Sequence, residues 1–517
     1  MKKIRSVISL LVLTMLLSII LCGCGDEKKN SNNISDVNVS SSEPMNGGSV
    51  VVGIQQDLDS LDPHKAVAAG TKELLFNVYE GLVKPDATGD YKPAVASDFT
   101  IEDKEYTFTL REGIAFHNGD PVTVEDIKYS IDRCAGLLKD SESEPLVSAF
   151  SIIKNVEIID DATVKIVLKE ADTELLPFLN AAIIPKDSAE NKTFSGTGPF
   201  QELEWKEQES YTIIKNENYW GTSAYLDEVV FKVVANANTA TAEMQAGTID
   251  IYPYMTDEQA AVMEETYQVL EGNMNLVQAV FLNNAKGPLK DADVRRAICY
   301  ALNRHEINAI VAGGRGHIIG TGMFSGFTKY YQEELTDYYI QDVEKAKELL
   351  KKAGYESGFD LTITVPSNYQ FHVDTSQVVV EQLKQIGIRA TIQQVEWATW
   401  LSDVYQGRNY EATVVGLDST LAPKDMLGRF YQSDSEKNFL NYSNSEYDAI
   451  YAKAVATTDD AEKVEYYGQL QQLLTEDAAS AYIMDPPLLV AMNPELDGYT
   501  FYPLYVMDMA KIYYRAQ

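Results

Sequence analysis

The chain is poor in cysteine and histidine, and it lacks the motifs of common enzyme classes. Only four cysteines and five histidines occur among 517 residues. Ser325 lies one residue out of register for a Gly-x-Ser-x-Gly nucleophile turn. His305-Glu306 is not followed by the second histidine of a zinc motif, and no phosphate-binding loop is present. The sequence therefore favours a protein that is not an enzyme and needs no cofactor.

Basic residues are scarce relative to acidic ones. The chain has 43 Lys and Arg against 77 Asp and Glu, a formal net charge of −34. Such a surface repels nucleic acid and anionic lipid headgroups. We therefore expect no nucleic-acid partner.

The internal cysteines do not indicate a disulfide framework. Cys134 and Cys299 lie in segments with helical patterns, Ile127–Gly136 and Val294–Asn303. One disulfide between them would be possible, but burial as small hydrophobic side chains fits the pattern better.

A group of acids near residue 60 resembles part of a calcium loop. Asp57, Asp59 and Asp62 are closely spaced, but no glycine or glutamate follows at the spacing that such a loop needs. Pro63 also interrupts the segment. We expect no metal there.

The N-terminus has the pattern of a secretory signal peptide. Lys2, Lys3 and Arg5 precede an apolar run, Val7–Leu21, which is too short and too interrupted by polar residues for a comfortable membrane span. The sequence predicts that residues 1–23 are removed on export.

The residues at the predicted cleavage site resemble a bacterial lipoprotein box. In Leu21-Cys22-Gly23-Cys24, the small Gly23 selects Cys24 as the lipidated residue. The stretch that follows is polar and non-periodic, so residues 24–47 are expected to form a flexible tether. The mature protein is thus predicted to be lipid-anchored to the cell membrane on its extracytoplasmic face.

The first half of the globular part reads as mixed α and β. Strand patterns occur at Ser49–Ile54 and Tyr106–Arg111, and a hairpin is expected from Val156 to Leu168. Thr123 with Asp126, and Thr256 with Gln259, have the spacing of helix capping boxes.

From about residue 340, helix and strand patterns alternate. This alternation predicts parallel βα units and an α/β lobe. Two further helices are expected at Ser445–Thr457 and Asp459–Asp477. The alternating elements are a helix at Asp342–Ala353, a strand at Leu361–Val365, a helix at Thr375–Ile386, a strand at Ala390–Val395, a helix at Trp397–Tyr405 and a strand at Glu411–Gly416.

Aromatic residues cluster in loop-like sequence. Tyrosine and tryptophan suit ligand clefts because they combine a flat apolar area with one hydrogen-bonding group. Taken singly, each is more often an ordinary half-buried side chain. The clustered residues are Tyr252, Tyr254, Tyr330, Tyr331, Tyr369, Trp397 and Trp400.

Several motifs, in order along the chain, resemble the extracellular solute-binding proteins that serve peptide-type (oligopeptide, dipeptide or nickel) ABC importers. The most specific is Phe116–Thr123 with the helix start that follows it. The others are Ser60–His64, Gly196–Phe200, Asn216–Trp220, Gly247–Asp250, Asp293–Ile298, Glu344–Ala346, Glu381–Ile388, Asn441-Tyr442 and Tyr447-Asp448.

The resemblance implies a two-lobed, periplasmic-binding-protein-like α/β fold that closes on its ligand. The first lobe would comprise residues 48–275 and 487–517, with an inserted subdomain at about 85–183. The second lobe would comprise residues 280–485. Chain crossings near Gln278–Asn283 and Asp485–Pro487 would form the hinge.

The resemblance also implies which residues line the cleft. They come from both lobes and include four of the clustered aromatics. The implied ligand-binding residues are Gln56, Asp57, Leu58, Tyr252, Tyr254, Asn368, Tyr369, His372, Trp397, Gly416, Leu417 and Asp418, with Glu396 beside Trp397.

One departure concerns the ligand. Peptide receptors of this family have a tryptophan where this chain has Leu417, and an ammonium-binding aspartate where it has Thr420. Asp418 is the only acid nearby and is a possible replacement. Peptide is the leading ligand class, and a nickel complex, haem, an opine or an oligosaccharide is the alternative.

The expected function is a monomeric receptor that captures a peptide and delivers it to an ABC permease and its ATPase subunits. A peptide-sensing lipoprotein without transport is a second class, and the sequence does not separate the two. A secreted hydrolase on the same scaffold is disfavoured by the missing catalytic motifs.

Overall fold

The computed structural model describes residues 43–66, 68–138, 144–234 and 236–516. The predicted signal peptide, Cys24 and most of the predicted tether lie outside the described residues.

The described strands are numbered in chain order. They are β1 Pro44–Met45, β2 Ser49–Ile54, β3 Val83–Pro85, β4 Tyr91–Pro93, β5 Ala96–Glu102, β6 Glu105–Leu110, β7 Ile153–Asp160, β8 Thr163–Leu168, β9 Phe200–Lys206, β10 Ser210–Lys215, β11 Glu228–Val233, β12 Ile251–Tyr252, β13 Gln268–Asn273, β14 Val277–Leu282, β15 His317–Ile318, β16 Asp360–Pro366, β17 Arg389–Val395, β18 Ala412–Leu417, β19 Ser480–Asp485, β20 Pro487–Met492, β21 Leu496–Asp497 and β22 Tyr513–Arg515.

The described α-helices are numbered in the same way. They are α1 Ala69–Leu75, α2 Val124–Cys134, α3 Ser188–Asn191, α4 Ala237–Gln245, α5 Asp257–Met263, α6 Ala292–Ala301, α7 Arg304–Val311, α8 Val343–Lys352, α9 Gln370–Lys384, α10 Trp397–Thr399, α11 Pro423–Leu427, α12 Ser445–Ala456 and α13 Asp460–Glu476. Short 3₁₀ turns occur between them, and a π-helix, Trp400–Gln406, continues α10.

A seven-stranded sheet has the order β13-β20-β12-β2-β11-β10-β9. Side chains alternate across β2, so Val50 and Val52 enter one core while Val51 packs against another. Both faces of this sheet are therefore covered.

A six-stranded sheet has the order β15-β19-β14-β18-β16-β17. β16 pairs in parallel with β17 and β18, as the alternation predicts, but β14 pairs antiparallel with β18 and β19. The sheet is thus mixed. Val280 and Phe281 point into cores on its opposite faces.

A four-stranded antiparallel sheet, β5-β6-β8-β7, has a core of its own. This core runs from Leu82 to Ile183 and includes Phe108 of β6 and Ile127 of α2. Thr123 and Asp126 make the predicted capping box at the start of α2.

The chain passes twice between the two large sheets. The first passage, residues 274–276, joins β13 to β14, and the second, Pro486, joins β19 to β20. The segment Gln278–Asn283, expected as a crossing, lies mainly in β14. Leu276 N donates to Asp485 Oδ1 over 3.0 Å, so the two passages are hydrogen-bonded to each other.

Both described internal cysteines are free and buried. Cys134 lies in the core of the four-stranded sheet and Cys299 in a core of the six-stranded sheet. The interpretation as buried hydrophobic side chains is confirmed.

Candidate ligand-binding site

The aromatic wall is the cluster of Tyr369, Trp397 and Trp400 at one edge of the six-stranded sheet. Its position depends on the direction of the parallel strands. The carboxyl ends of β16, β17 and β18 meet at one edge because these strands run in parallel, and ligands commonly bind at such edges. Asn368 follows β16, and its Oδ1 accepts a hydrogen bond from Trp397 N over 3.1 Å. The predicted residues Asn368 and Trp397 are thus brought together.

Three aromatic rings pack in series along this edge. The centroids of Tyr369 and Trp397 are 5.3 Å apart with the rings nearly perpendicular. Trp397 stacks on Trp400 at 5.0 Å. Trp400 is 2% exposed while Tyr369 is 43% exposed, so the buried ring supports the two outer ones. This geometry leaves the two outer rings as an apolar contact surface with two ring planes at a large angle.

His372 lies behind that surface. Its Nε2 accepts a hydrogen bond from Gly416 N over 3.1 Å, and its Nδ1 lies 2.9 Å from Gln278 Nε2. Burial lowers the pKa of His372 to about 4, so the ring is neutral at pH 7. His372 therefore fixes the end of β18 rather than presenting a free nitrogen.

The end of β18 carries the predicted acid Asp418. Leu417 is half-buried and Asp418 is exposed. Asp418 forms no ion pair with a described residue. Its negative charge and burial of the phenol both raise the pKa of Tyr369, with burial the larger cause. Asp418 is therefore close to the aromatic surface.

The opposite wall starts from β2 and β12, which are parallel neighbours. Gln56 is exposed just after β2, whereas Leu58 is 6% and Tyr252 1% exposed. The Asp57 carboxylate accepts hydrogen bonds from Trp205 Nε1 over 3.0 Å and Gln208 N over 2.7 Å. Asp57 is thus engaged within the protein.

The neighbouring acids Asp59 and Asp62 have separate partners. Asp59 Oδ2 accepts from Ala68 N, and Asp62 forms a two-pronged ion pair with Arg133. Among the described residues no group of His, Cys, Asp or Glu side chains has a geometry suited to a metal ion.

Tyr254 borders a small cavity that sequence reasoning missed. Its hydroxyl donates to Glu73, which is 6% exposed on α1. The cavity measures about 20 Å³ and is also bordered by Asn275, Tyr499 and Tyr505. Burial raises the pKa of Glu73 to about 7, although the hydrogen bond from Tyr254 acts to lower it. In the sequence, the cluster of aromatic residues in Tyr499–Tyr505 is the feature that could have indicated this cavity.

Tyr505 lies close to both walls. Burial and then the negative charges of Asp418, Glu73 and Asp485 raise the pKa of its phenol. Asp418 belongs to one wall and Glu73 to the other. The loop that carries Tyr505 therefore sits between them.

Residues around the four-stranded sheet also contact the side of the molecule that carries the aromatic rings. Glu174, whose neighbour Leu175 lies in the four-stranded core, accepts from Lys463 Nζ over 3.0 Å and from the Tyr467 hydroxyl. Tyr91 donates to Thr420 O over 3.2 Å. Thr420, which stands where the resemblance implies an aspartate, is thus close to β4.

Comparison with known proteins places this geometry in a family. A model described as bacterial extracellular solute-binding proteins, family 5 (middle), matches residues 90–438. The chain belongs to this family. The resemblance inferred from the motifs is thereby confirmed.

Individual relatives match over almost the whole chain. The oligopeptide-binding protein AppA of Bacillus subtilis is 26% identical over 536 residues, 97% of each chain. The structure of the ABC transporter-associated periplasmic binding protein DppA of Helicobacter pylori, in complex with the peptide STSA, has a TM-score of 0.76 at 25% identity and covers 91% of this chain and 99% of that one. AgaA of A. tumefaciens R10, in complex with agropinic acid, has a TM-score of 0.75 at 25% identity, with coverage of 91% and 99%.

As a family 5 solute-binding protein, the chain has the two-lobed α/β fold that the motifs predicted. The family is extracellular, in agreement with the predicted extracytoplasmic location. Among the described residues no helix is long and apolar enough to span a membrane.

Proposed function

We propose that this protein is a lipid-anchored receptor that captures a peptide between its two lobes and delivers it to an ABC permease. The observation that carries the proposal is the aromatic surface of Tyr369 and Trp397 beside the exposed Asp418, which forms no ion pair with a described residue. Aromatic rings take up varied side chains, and a carboxylate binds the α-ammonium group that every unmodified peptide carries.

The names of the relatives support a peptide ligand. AppA is called an oligopeptide-binding protein, and DppA was solved with the peptide STSA. Asp418 takes the role of the missing family aspartate in this proposal, with Tyr254 and Tyr505 facing the ligand from the other wall.

Closure is proposed to occur about the two passages at residues 274–276 and Pro486. A ligand that contacts both walls favours the closed arrangement because only differential contact shifts such an equilibrium. Lipid at Cys24 would keep the receptor near its permease.

A non-peptide solute is the second candidate. It is favoured by Leu417 and Thr420, which stand where peptide receptors have tryptophan and aspartate, and by the agropinic acid bound to AgaA. The same fold therefore accommodates small acids in at least one relative. A peptide sensor without transport would use the same site.

Mass spectrometry of the ligand released from denatured, freshly purified protein tests the proposal. Calorimetry then compares the wild type with Trp397→Ala and Asp418→Asn, using the identified ligand. A peptide receptor loses affinity in both variants. Loss in Trp397→Ala alone would indicate a ligand without a cation at Asp418, and near-native affinity in Trp397→Ala would show that the cleft is elsewhere.

A further inference from the structure

We infer that the cavity beside Glu73 is a subsite for one ammonium group of the ligand, with Glu73 as its counterion. The inference rests on the proposed function, because it assigns part of the same cleft. It also assigns to Glu73 a preference for a positively charged ligand group, in addition to the one proposed for Asp418.

Charge is the first argument. Glu73 is the only ionisable acid that borders the cavity, and no lysine, arginine or histidine is among the bordering residues. Its single ionic or polar side-chain contact in the described part of the chain is the hydrogen bond from Tyr254. A buried carboxyl is ordinarily paired with a cation or satisfied by several donors. Glu73 has neither, so its charge is left for a ligand.

Size is the second argument. A cavity of about 20 Å³ holds roughly one water-sized group. An ammonium group is of that size, whereas a guanidinium or an aromatic ring is larger. The hydroxyl of Tyr254 and the phenol of Tyr505 lie at the cavity's border and are suited to complete the coordination.

Position is the third argument. The cavity is bordered by Tyr254, which is a predicted ligand residue, and by Tyr505, which is close to Asp418 and Tyr369 of the other wall. The subsite therefore lies at the floor of the cleft. Asp418 is exposed, so the two carboxyls differ in solvation and are expected to bind cations with different strength.

Binding at this subsite has a proton signature. Because burial raises the pKa of Glu73 to about 7, part of the population carries a protonated carboxyl at neutral pH. Arrival of R-NH₃⁺ converts the carboxyl to a carboxylate and releases one proton to solvent. Affinity for an ammonium ligand should therefore rise between about pH 6 and pH 8.

Other titratable groups lie near Glu73, and their titration must be distinguished from that of Glu73 itself. The phenols of Tyr254, Tyr499 and Tyr505 have raised pKa values and stay neutral in this range. Burial raises the pKa of Asp485, near Tyr505, to about 8, and Asp418 and Lys72 of α1 are exposed. The signature of Glu73 is thus the difference between the wild type and Glu73→Gln.

The test uses alanine pentapeptides as probes. One set has a free or an acetylated N-terminus, and a second, acetylated set carries lysine or norleucine at the central position. Calorimetry in phosphate and in Tris buffer reports both affinity and released protons. The two sets distinguish an α-ammonium from a lysine side chain as the bound group.

The inference predicts at least about tenfold tighter binding of the matching cationic probe over its neutral partner in the wild type. It predicts that Glu73→Gln removes most of this preference and its proton release. Glu202→Gln is the matched control, since Glu202 also accepts from a buried tyrosine, Tyr211, but does not border the cavity.

Two outcomes distinguish a failure of the proposed peptide function from a failure of the Glu73 subsite. If no pentapeptide binds the wild type, the proposed peptide function is wrong. If peptides bind but the cationic preference is absent, or persists unchanged in Glu73→Gln while Asp418→Asn removes it, the Glu73 subsite is wrong and the peptide function stands.

Discussion

Lys463 Nζ lies 3.0 Å from Glu174 Oε1, and the two side chains are only 2% and 8% exposed. Glu174 also accepts from Lys424 N over 2.8 Å and from the Tyr467 hydroxyl. The pair connects the region of the four-stranded sheet to α13, which packs on the six-stranded sheet. A buried ion pair thus holds these two regions in contact.

Replacement of one partner leaves the other charge buried and unpaired. Lys463→Met is therefore expected to lower the free energy of unfolding by about 3–5 kcal/mol, measured by urea denaturation. Lys347→Met, which removes an exposed ion pair with Glu344, is the control and should cost at most about 1 kcal/mol. Equal effects of the two variants would contradict a buried, energetically important pair.

The same pair should influence closure. The ligand-free wild type and the double variant Glu174→Gln/Lys463→Met are compared by small-angle scattering, before and after the ligand identified by mass spectrometry is added. We expect the radius of gyration of both proteins to decrease on binding, and the ligand-free double variant to have the larger value. An unchanged radius at saturating ligand would disprove closure about the two passages.

Tyr369 should contribute more to binding than a tyrosine of equal exposure elsewhere. Truncation of an aromatic anchor in a desolvated site costs about 2–4 kcal/mol. Tyr369→Ala is expected to lose that much binding free energy by calorimetry. Tyr338→Ala is matched, because Tyr338 is 42% exposed against 43% for Tyr369. Comparable losses in both variants would mean that the aromatic wall does not contact the ligand.

Asp485 should make stability depend on pH. Burial raises its pKa from 3.8 to about 8, while hydrogen bonds from Leu276 and Asn275 act to lower it. Between these values the folded protein retains a proton that the unfolded chain has released, so this group makes stability fall as pH rises. The slope of a single group is at most about 1.4 kcal/mol per pH unit.

Asp485→Asn should remove that contribution while keeping an oxygen for Leu276 N. Urea denaturation from pH 4.5 to pH 8.5 should therefore give a flatter profile for the variant than for the wild type. Glu344→Gln, an exposed acid, serves as the control. An identical slope in Asp485→Asn would show that the carboxyl does not titrate in this range.

Lipidation should depend on Cys24 and not on Cys22. Stable membrane attachment needs more than one acyl chain, so loss of the lipidated cysteine should release the protein. We expect Cys24→Ala to appear in the soluble fraction after a carbonate wash, with unchanged folding. Cys22→Ala is the control and should remain attached. Retention of the Cys24→Ala protein in membranes would contradict the lipoprotein assignment.

Local sequence determined many elements with good accuracy. Strand β2 has the predicted bounds, and Thr256 with Gln259 makes the predicted capping box. Asp342 caps α8, and the following Gly354 has a φ of +86°, as expected for a helix stop. These features depend on neighbouring residues only, which is why a single sequence reveals them.

Elements without a local signal were misjudged. Helix α9 begins at Gln370 rather than Thr375, and no side chain caps its N-terminus. The expected helix Trp397–Tyr405 is split, because a π-helix starts at Trp400. Trp400 Nε1 donates to Thr413 Oγ1 over 3.0 Å inside the core, a tertiary contact that periodicity does not report.

The residues of the candidate site also fall into two groups, those that the sequence indicated and those that only the tertiary structure revealed. Motif resemblance selected Tyr369, Trp397 and Asp418, composition indicated an acidic chain without a disulfide framework, and the N-terminal pattern predicted export. Tertiary structure decided that His372 is enclosed, that Glu73 faces a cavity, and that Lys463 meets Glu174. The last two residues are separated by 289 positions. Their contact depends on how whole sheets pack, and no pattern of neighbouring residues encodes that arrangement.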